Sequence, residues 1–228
     1  MLLAPMSPLY STADRLESCR PFAKMNREPF ELLIATNNPG KLREIGQLLS
    51  ATPVKLRSLR DFDNIVEVEE TGSTFAENAI LKARGYALQT GMTALADDSG
   101  LEIKALDNAP GVLSARYAGE NTGFAEKMRI LLSEMETSED KDRSAQFVCA
   151  MVIANASGEL LVTAEGVCKG NIASGPRGNG GFGYDPIFQP AGFDKTFGEL
   201  PDEIKQEISH RARSSAVIMR FLLDFIAI

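Results

Sequence analysis

The stretch that most constrains this chain is Leu95-Ala96-Asp97-Asp98-Ser99-Gly100-Leu101. An apolar lead-in from Met92 to Ala96 runs into two adjacent carboxylates, a hydroxyl and a glycine. A strand-like alternation then resumes at Leu101-Glu102-Ile103. The pattern reads as a strand delivering its acidic end into a tight turn. Ligands bind at strand ends in open α/β sheets. Paired carboxylates there suit a hard divalent cation, Mg2+ above all, which takes oxygen ligands and keeps several waters. An Asp-Ser-Gly turn capped by its own side chains is the competing reading of the same residues.

At 228 residues the chain fits one domain or two closely joined lobes. Its 44% apolar and 24% charged content is that of an ordinary soluble globular protein. A formal net charge of -7 argues against duplex nucleic acid as a partner, because that surface needs a basic footprint. A polyphosphate remains possible if a metal and a few Lys or Arg side chains are focused in one cleft. Cys19, Cys149 and Cys168 are scattered and lack metal-ligand spacing, so a reduced, cytoplasmic setting is expected. No apolar run approaches the ~20 residues of a membrane span. Residues 1–28 carry mixed charge and several prolines without a sustained period. They read as a mobile extension, or as the product of an early start with Met25 the true initiator, leaving 29–228 as the folded domain.

Glu31 to Thr36 is a short apolar run suited to a buried strand. Asn38 is a good N-cap and Pro39 sits at the first helical position, so a helix starts there and carries Leu42, Ile45 and Leu49. A strand passing through such a turn into a helix N-terminus is an anion site with free N–H groups, and Lys41 adds a positive charge. The P-loop spacing is absent. A strand over Val54–Leu56 and a helix over about Thr74–Leu88 follow. Phe75, Ala79, Ala83 and Tyr86 form that helix's core stripe, with Asn78 and Lys82 together on its flank. Glu77, three residues after Thr74, completes a capping box.

Further on, the spacing predicts a helix over Phe124–Met135 and two strands, Ala145–Ala154 and Leu160–Cys168, joined by a hairpin at Asn155-Ala156-Ser157-Gly158. Residues 170–186 are glycine-dense, yet Phe182 and Tyr184 are embedded in them. That suits a loop folding over a planar ligand, or two rings that simply fill core. Phe188, Phe193 and Phe197 read as core. Ser209 caps a last helix whose stripe is Ala212, Ala216, Met219, Leu223 and Ile226. His210, the only histidine, and Arg211 open that helix, with Lys205 nearby, and suit a ligand-binding edge.

Four separated stretches occur in one order: Thr36-Asn37-Asn38-Pro39-Gly40-Lys41, Asp97 to Leu101, Gly181-Phe182-Gly183-Tyr184-Asp185-Pro186 and Ile208-Ser209-His210-Arg211. Together they resemble the inosine triphosphate pyrophosphatase family, the Ham1/RdgB-like nucleoside triphosphate pyrophosphatases, over about Leu32 to Leu223. The resemblance implies an elongated α/β fold, with a long mixed β-sheet, flanking helices and two lobes around a central cleft. It implies Mg2+-dependent hydrolysis of ITP, dITP and XTP to the monophosphate and pyrophosphate by a homodimer, which keeps aberrant bases out of nucleic acid.

Carried over position by position, the resemblance gives Thr36, Asn37, Asn38, Pro39, Gly40 and Lys41 to the triphosphate. It makes Asp98 proton acceptor and Mg2+ ligand, with Glu69, chosen over Glu70 by its offset from Gly72, as metal partner. Lys41 and Lys82 would stabilise charge on the phosphates. Ser99, Phe182, Gly183, Tyr184, Asp185, Lys205, His210 and Arg211 would hold the nucleotide, the last two at the base edge. An Arg or a protonated His there would donate to O6 of hypoxanthine or xanthine. The family turn usually has glycine where Asn37 stands, a departure that asparagine's tolerance of left-handed geometry makes mild. A Maf-like pyrophosphatase acting on pyrimidine triphosphates, a nucleotide sensor without turnover and a Ca2+-binding module are the rival readings. The Ser-His-Arg and Phe-Gly-Tyr-Asp segments, the Asp97-Asp98 pair with Lys41, and the missing EF-hand spacing argue against them in turn.

Overall fold

The structure is a computed structural model that describes residues 29–227; the expected 1–28 extension lies outside them. β1 (Phe30–Ile34) lies parallel to both β2 (Val54–Ser58) and β3 (Ala94–Ile103). β4 (Ser144–Ala154), β5 (Leu160–Ile172) and the short β6 (Phe188–Pro190) continue from β3 as antiparallel neighbours. Among the described residues these six strands form one mixed sheet in the order β2-β1-β3-β4-β5-β6. The β4–β5 hairpin turns where its sequence predicts, with Gly158 at φ 80° and the Asn155 side chain accepting from the Ser157 and Glu159 amides.

Strand alternation divides the core between two faces. Ala94 and Ala96 of β3 face α2 (Phe75–Thr90), packing with Ala79, Ala83 and Tyr86. Leu95 faces the other way, toward Ile45 of α1 (Pro39–Leu48) and Ile218 and Leu222 of α5 (His210–Ile226). The far ends of the same long strands build a second lobe. There Leu101, Ile103 and Phe147 pack against Met128 and Leu131 of α3 (Phe124–Thr137) and against Phe188 and Phe197. A short α4 (Asp202–Ile208) leads into α5.

Local end signals behave as read. Asn38 Oδ1 accepts from the Gly40 and Lys41 amides at 2.9 and 3.2 Å, and the Thr74–Glu77 capping box is present. Three expectations change. First, β3 does not turn at Asp-Ser-Gly but runs through it, paired with β4 from Ala94 to Ile103. Second, α5 buries Arg211, Ser214, Ser215, Ile218 and Leu222, whereas Ala216 and Leu223 are exposed. Ala212 of the expected stripe is buried and Met219 and Ile226 pack half-buried against the core, so hydropathy finds part of the face and misses its polar share. Third, the amides opening α1 are not free donors, because Pro39 has none and Asn38 caps the next two.

Candidate active site

A cleft of about 920 Å³ lies between the lobes, a size that suits a bound small molecule. Of the expected site residues, Thr36, Asn37, Asn38, Lys41, Glu69, Lys82, Asp98, Ser99, Phe182, Gly183, Tyr184, Asp185, Lys205, His210 and Arg211 line it; Pro39 and Gly40 do not. Gly40 instead provides room: a Cβ there would lie 2.8 Å from the Phe182 ring.

Because β3 is continuous, its consecutive carboxylates serve different faces. Asp98 shares the α2 face, where Lys82 Nζ donates to Asp98 Oδ1 at 2.8 Å and to Glu70 Oε1 at 2.6 Å. The irregular segment before α2 brings Glu70 there, held in place by the Gly72 amide donating to Asn78 Oδ1 at 2.8 Å. Glu70, rather than the expected Glu69, therefore shares Lys82 with Asp98, and Glu69 is exposed at the rim. Burial, with Glu70 nearby, raises the Asp98 pKa against the pull of Lys82 and Lys41. Burial also opposes charge on Lys82, but Asp98 and Glu70 outweigh it and raise its pKa.

Asp97 faces α1 and α5. It accepts from Arg211 Nε at 2.9 Å, pairs with Lys41 at 2.5 Å and takes the Cys149 thiol at 2.9 Å. Burial alone would raise its pKa; Arg211 and Lys41 hold it well below the usual carboxylate range. Glu44 of α1 completes this network, accepting from Arg211 Nη1 at 2.5 Å and from Lys205 at 2.7 Å. Lys205 also meets Asp185 at 2.5 Å. Glu44 carries no signal in the sequence, where it looks like solvated helix surface, and the offset from Gly72 favours Glu69 because it cannot tell which of the two neighbouring acids turns inward.

Phe182 is half-buried, with Lys205 Nζ 4.8 Å and Arg211 Cζ 5.7 Å from its ring centre. Tyr184 is core: its hydroxyl donates to the Ser114 carbonyl at 3.0 Å, and its ring meets Phe124 edge-on. His210 stacks on Phe147 with ring centres 4.7 Å apart. Burial, then Arg211, pushes its pKa well below the ordinary value, so the expected protonated histidine is a neutral imidazole.

Among the described residues no cluster of three or more His, Cys, Asp or Glu side chains could hold a metal. The Asp98–Glu70 pair still fits Mg2+, which keeps waters on most of its positions. Asp98 Oδ2 in particular is buried without a hydrogen-bond partner, a costly state for a carboxylate oxygen unless something binds it. The five cationic side chains lining the cleft (Lys41, Lys82, Arg116, Lys205, Arg211) are outnumbered by six carboxylates (Glu67, Glu69, Glu70, Asp98, Glu120, Asp185). A bare polyphosphate would meet net repulsion there.

Residues 32–221 match the model of the Ham1 family. The chain belongs to the Ham1 family. It is 48% identical over 187 residues to the dITP/XTP pyrophosphatase of Geobacter sulfurreducens, covering 82% of this chain and 94% of that protein. To the protein of the same name from Coxiella burnetii it is 46% identical over 185 residues, covering 81% of this chain and 92% of that one. The solved Ham1 protein from Coxiella burnetii superposes with a TM-score of 0.79 at 44% identity, covering 86% of this chain and 99% of that chain. The Staphylococcus aureus Ham1 protein gives 0.75 at 40% identity, with 86% and 99% covered. The mixed sheet, flanking helices and cleft described above are thus the Ham1 fold.

Proposed function

We propose that this Ham1-family chain hydrolyses deaminated purine nucleoside triphosphates (ITP, dITP and XTP) to the monophosphate and pyrophosphate, clearing aberrant purines from the nucleotide pool. The observation that carries the reading is Asp98: a cleft-lining carboxylate with one oxygen on Lys82 and the other buried and unsatisfied. The dITP/XTP pyrophosphatase relatives supply the substrate class.

Asp98 and Glu70 would hold Mg2+, which when bound would offset phosphate charge and ease attack by water. Asp98 orients and deprotonates that water. Lys82, freed from sharing two carboxylates, and Lys41 stabilise charge on the phosphate oxygens and on the leaving pyrophosphate. Thr36, Asn37 and Asn38 form the turn that meets the phosphates; the amides of Gly40 and Lys41 become available only if the Asn38 cap yields. Phe182 stacks on the base, and Ser99, Gly183, Asp185 and Lys205 hold the nucleotide's flank.

Selectivity for O6 over the adenine amino group falls to the N–H groups at the His210-Arg211 edge. Neutral His210 keeps one ring N–H, while the Arg211 guanidinium already serves Asp97, Glu44 and Ser99. A buried donor left facing the adenine amino group costs roughly 1–3 kcal/mol, or about 5- to 150-fold. Homodimeric assembly and a cytoplasmic location belong to the same proposal; among the described residues no helix is long and apolar enough to cross a membrane.

Phosphorus NMR of the products formed from ITP with Mg2+ tests the reaction type. IMP and pyrophosphate in equal amounts are expected. Stepwise release of orthophosphate through IDP would overturn the proposal.

A further inference from the structure

We infer that Arg116 is a substrate-binding residue that parks on Glu70 while the cleft is free of ligand and passes to the phosphates once Glu70 is engaged by the cation. The inference rests on the function proposed above. Arg116 lines the same cleft as Asp98 and Lys82. Its Nη1 lies 3.2 Å from Glu70 Oε2, and among the described residues that is its one ion pair, with no side-chain hydrogen bond to any other group. A guanidinium carries five donors, so most of this one's capacity is unspent.

Arg211 is the opposite case. Buried and fully engaged by Asp97, Glu44 and Ser99, it can turn to a ligand only by breaking that network. Arg116 keeps about a third of its side-chain surface exposed and has one carboxylate to leave. Its backbone, by contrast, is fixed. Leu113 accepts from the Arg116 amide at 2.8 Å, and the Arg116 carbonyl accepts from Gly119 at 2.9 Å. The preceding Ala115 carbonyl takes the Nζ of Lys127, itself buried beneath the loop. Ser114, next in line, is buried and accepts from the Leu101 amide at 2.9 Å. A rigid loop thus presents a loosely held planar fork to a cleft proposed to take phosphates, the geometry in which arginine binds bidentately.

Glu70 is the hinge of the exchange. Lys82 and Arg116 both lean on it in the ligand-free cleft. Once that carboxylate turns to a cation, both side chains lose a partner and gain the phosphate oxygens as a replacement. Arg116 is therefore a competitor of the cation before substrate arrives and a ligand of the substrate afterwards.

This predicts effects of opposite sign in one variant, Arg116→Ala. Mn2+ alone, titrated without nucleotide and followed by its electron paramagnetic resonance signal, should bind at least as tightly as to wild type. The Kd for the non-hydrolysed α,β-imido analogue of ITP, measured calorimetrically with the metal present, should rise roughly 10- to 100-fold, the range for losing charge-assisted hydrogen bonds. Arg116→Lys, which keeps the charge but not the fork, should recover only part of that loss. If Arg116 merely positions Glu70, Mn2+ binding will weaken together with analogue binding, and the inference fails. Analogue binding unchanged in Arg116→Ala also overturns it. Wild-type pyrophosphate release is measured alongside: its absence from every triphosphate would reject the proposed function itself.

Discussion

Asp97 and Asp98 are adjacent in the chain yet belong to different networks: Asp97 is held by Arg211 at 2.9 Å on one face of β3, and Asp98 by Lys82 at 2.8 Å on the other. The strand's two-residue period imposes the division. It separates a carboxylate whose charge is fully matched and buried from one with an oxygen still to satisfy. The same substitution at the two positions should therefore have unlike consequences.

Asp98→Asn should lower kcat for pyrophosphate release at least 100- to 10,000-fold, the span of general-base effects. Stability should change by less than about 1 kcal/mol, because Lys82 keeps Glu70 at 2.6 Å. Steady-state kinetics with a urea melt on the same protein check both. A kcat near that of wild type would remove Asp98 from the mechanism.

Asp97→Ala should cost about 3–5 kcal/mol of folding stability, since it leaves the buried Arg211 with Glu44 as its one carboxylate and half-buried Lys41 with no ion pair among the described residues. Equilibrium urea unfolding measures it. A loss below about 1 kcal/mol would mean that the network contributes little to the fold.

His210 fixes a pH dependence. Its folded pKa lies well below 6.5 and its unfolded value near 6.5, so on acidification the unfolded chain takes up the proton first. Stability should then fall as pH drops through about 6.5. Part of that loss between pH 7.5 and 5.5 is the His210 share. Comparing wild type with His210→Gln at both pH values isolates that share; equal slopes in the two proteins would contradict a buried neutral histidine.

Gly40→Ala separates stability from activity. Alanine is the better helix former by up to about 1 kcal/mol, yet its Cβ would sit 2.8 Å from the Phe182 ring. The ring must move off its seat over Lys205 and Arg211. KM for ITP should rise several-fold while the melting temperature holds or increases. An unchanged KM would mean that the seating of Phe182 is irrelevant to substrate binding.

What could be read from sequence was mostly what neighbours in the chain decide. The Asn38 cap with Pro39, the Thr74–Glu77 box and the Asn155–Gly158 hairpin are local devices, and each forms. The continuation of β3 through Asp-Ser-Gly was hidden because its cause is distant: ten residues of pairing with β4 override a local turn signal. The buried face of α5 is only partly legible, through Ala212, Met219 and Ile226, because Arg211, Ser214 and Ser215 are interior only through partners elsewhere, such as Asp97 and Cys149. β6 and α4 carry no clear local signal in the sequence. Recurring motifs name about half of the residues that line the cleft, Asp98, Lys82 and Arg211 among them, but not Arg116, and they favour Glu69 over Glu70; these places follow from three-dimensional charge matching.

The most direct measurement is kcat/KM for pyrophosphate release from ITP, XTP, GTP, ATP, dTTP and UTP, with Mg2+ and with EDTA. Metal-dependent release confined largely to ITP and XTP is the expected result. Activity on dTTP or UTP equal to that on ITP would contradict it, as would undiminished turnover in EDTA.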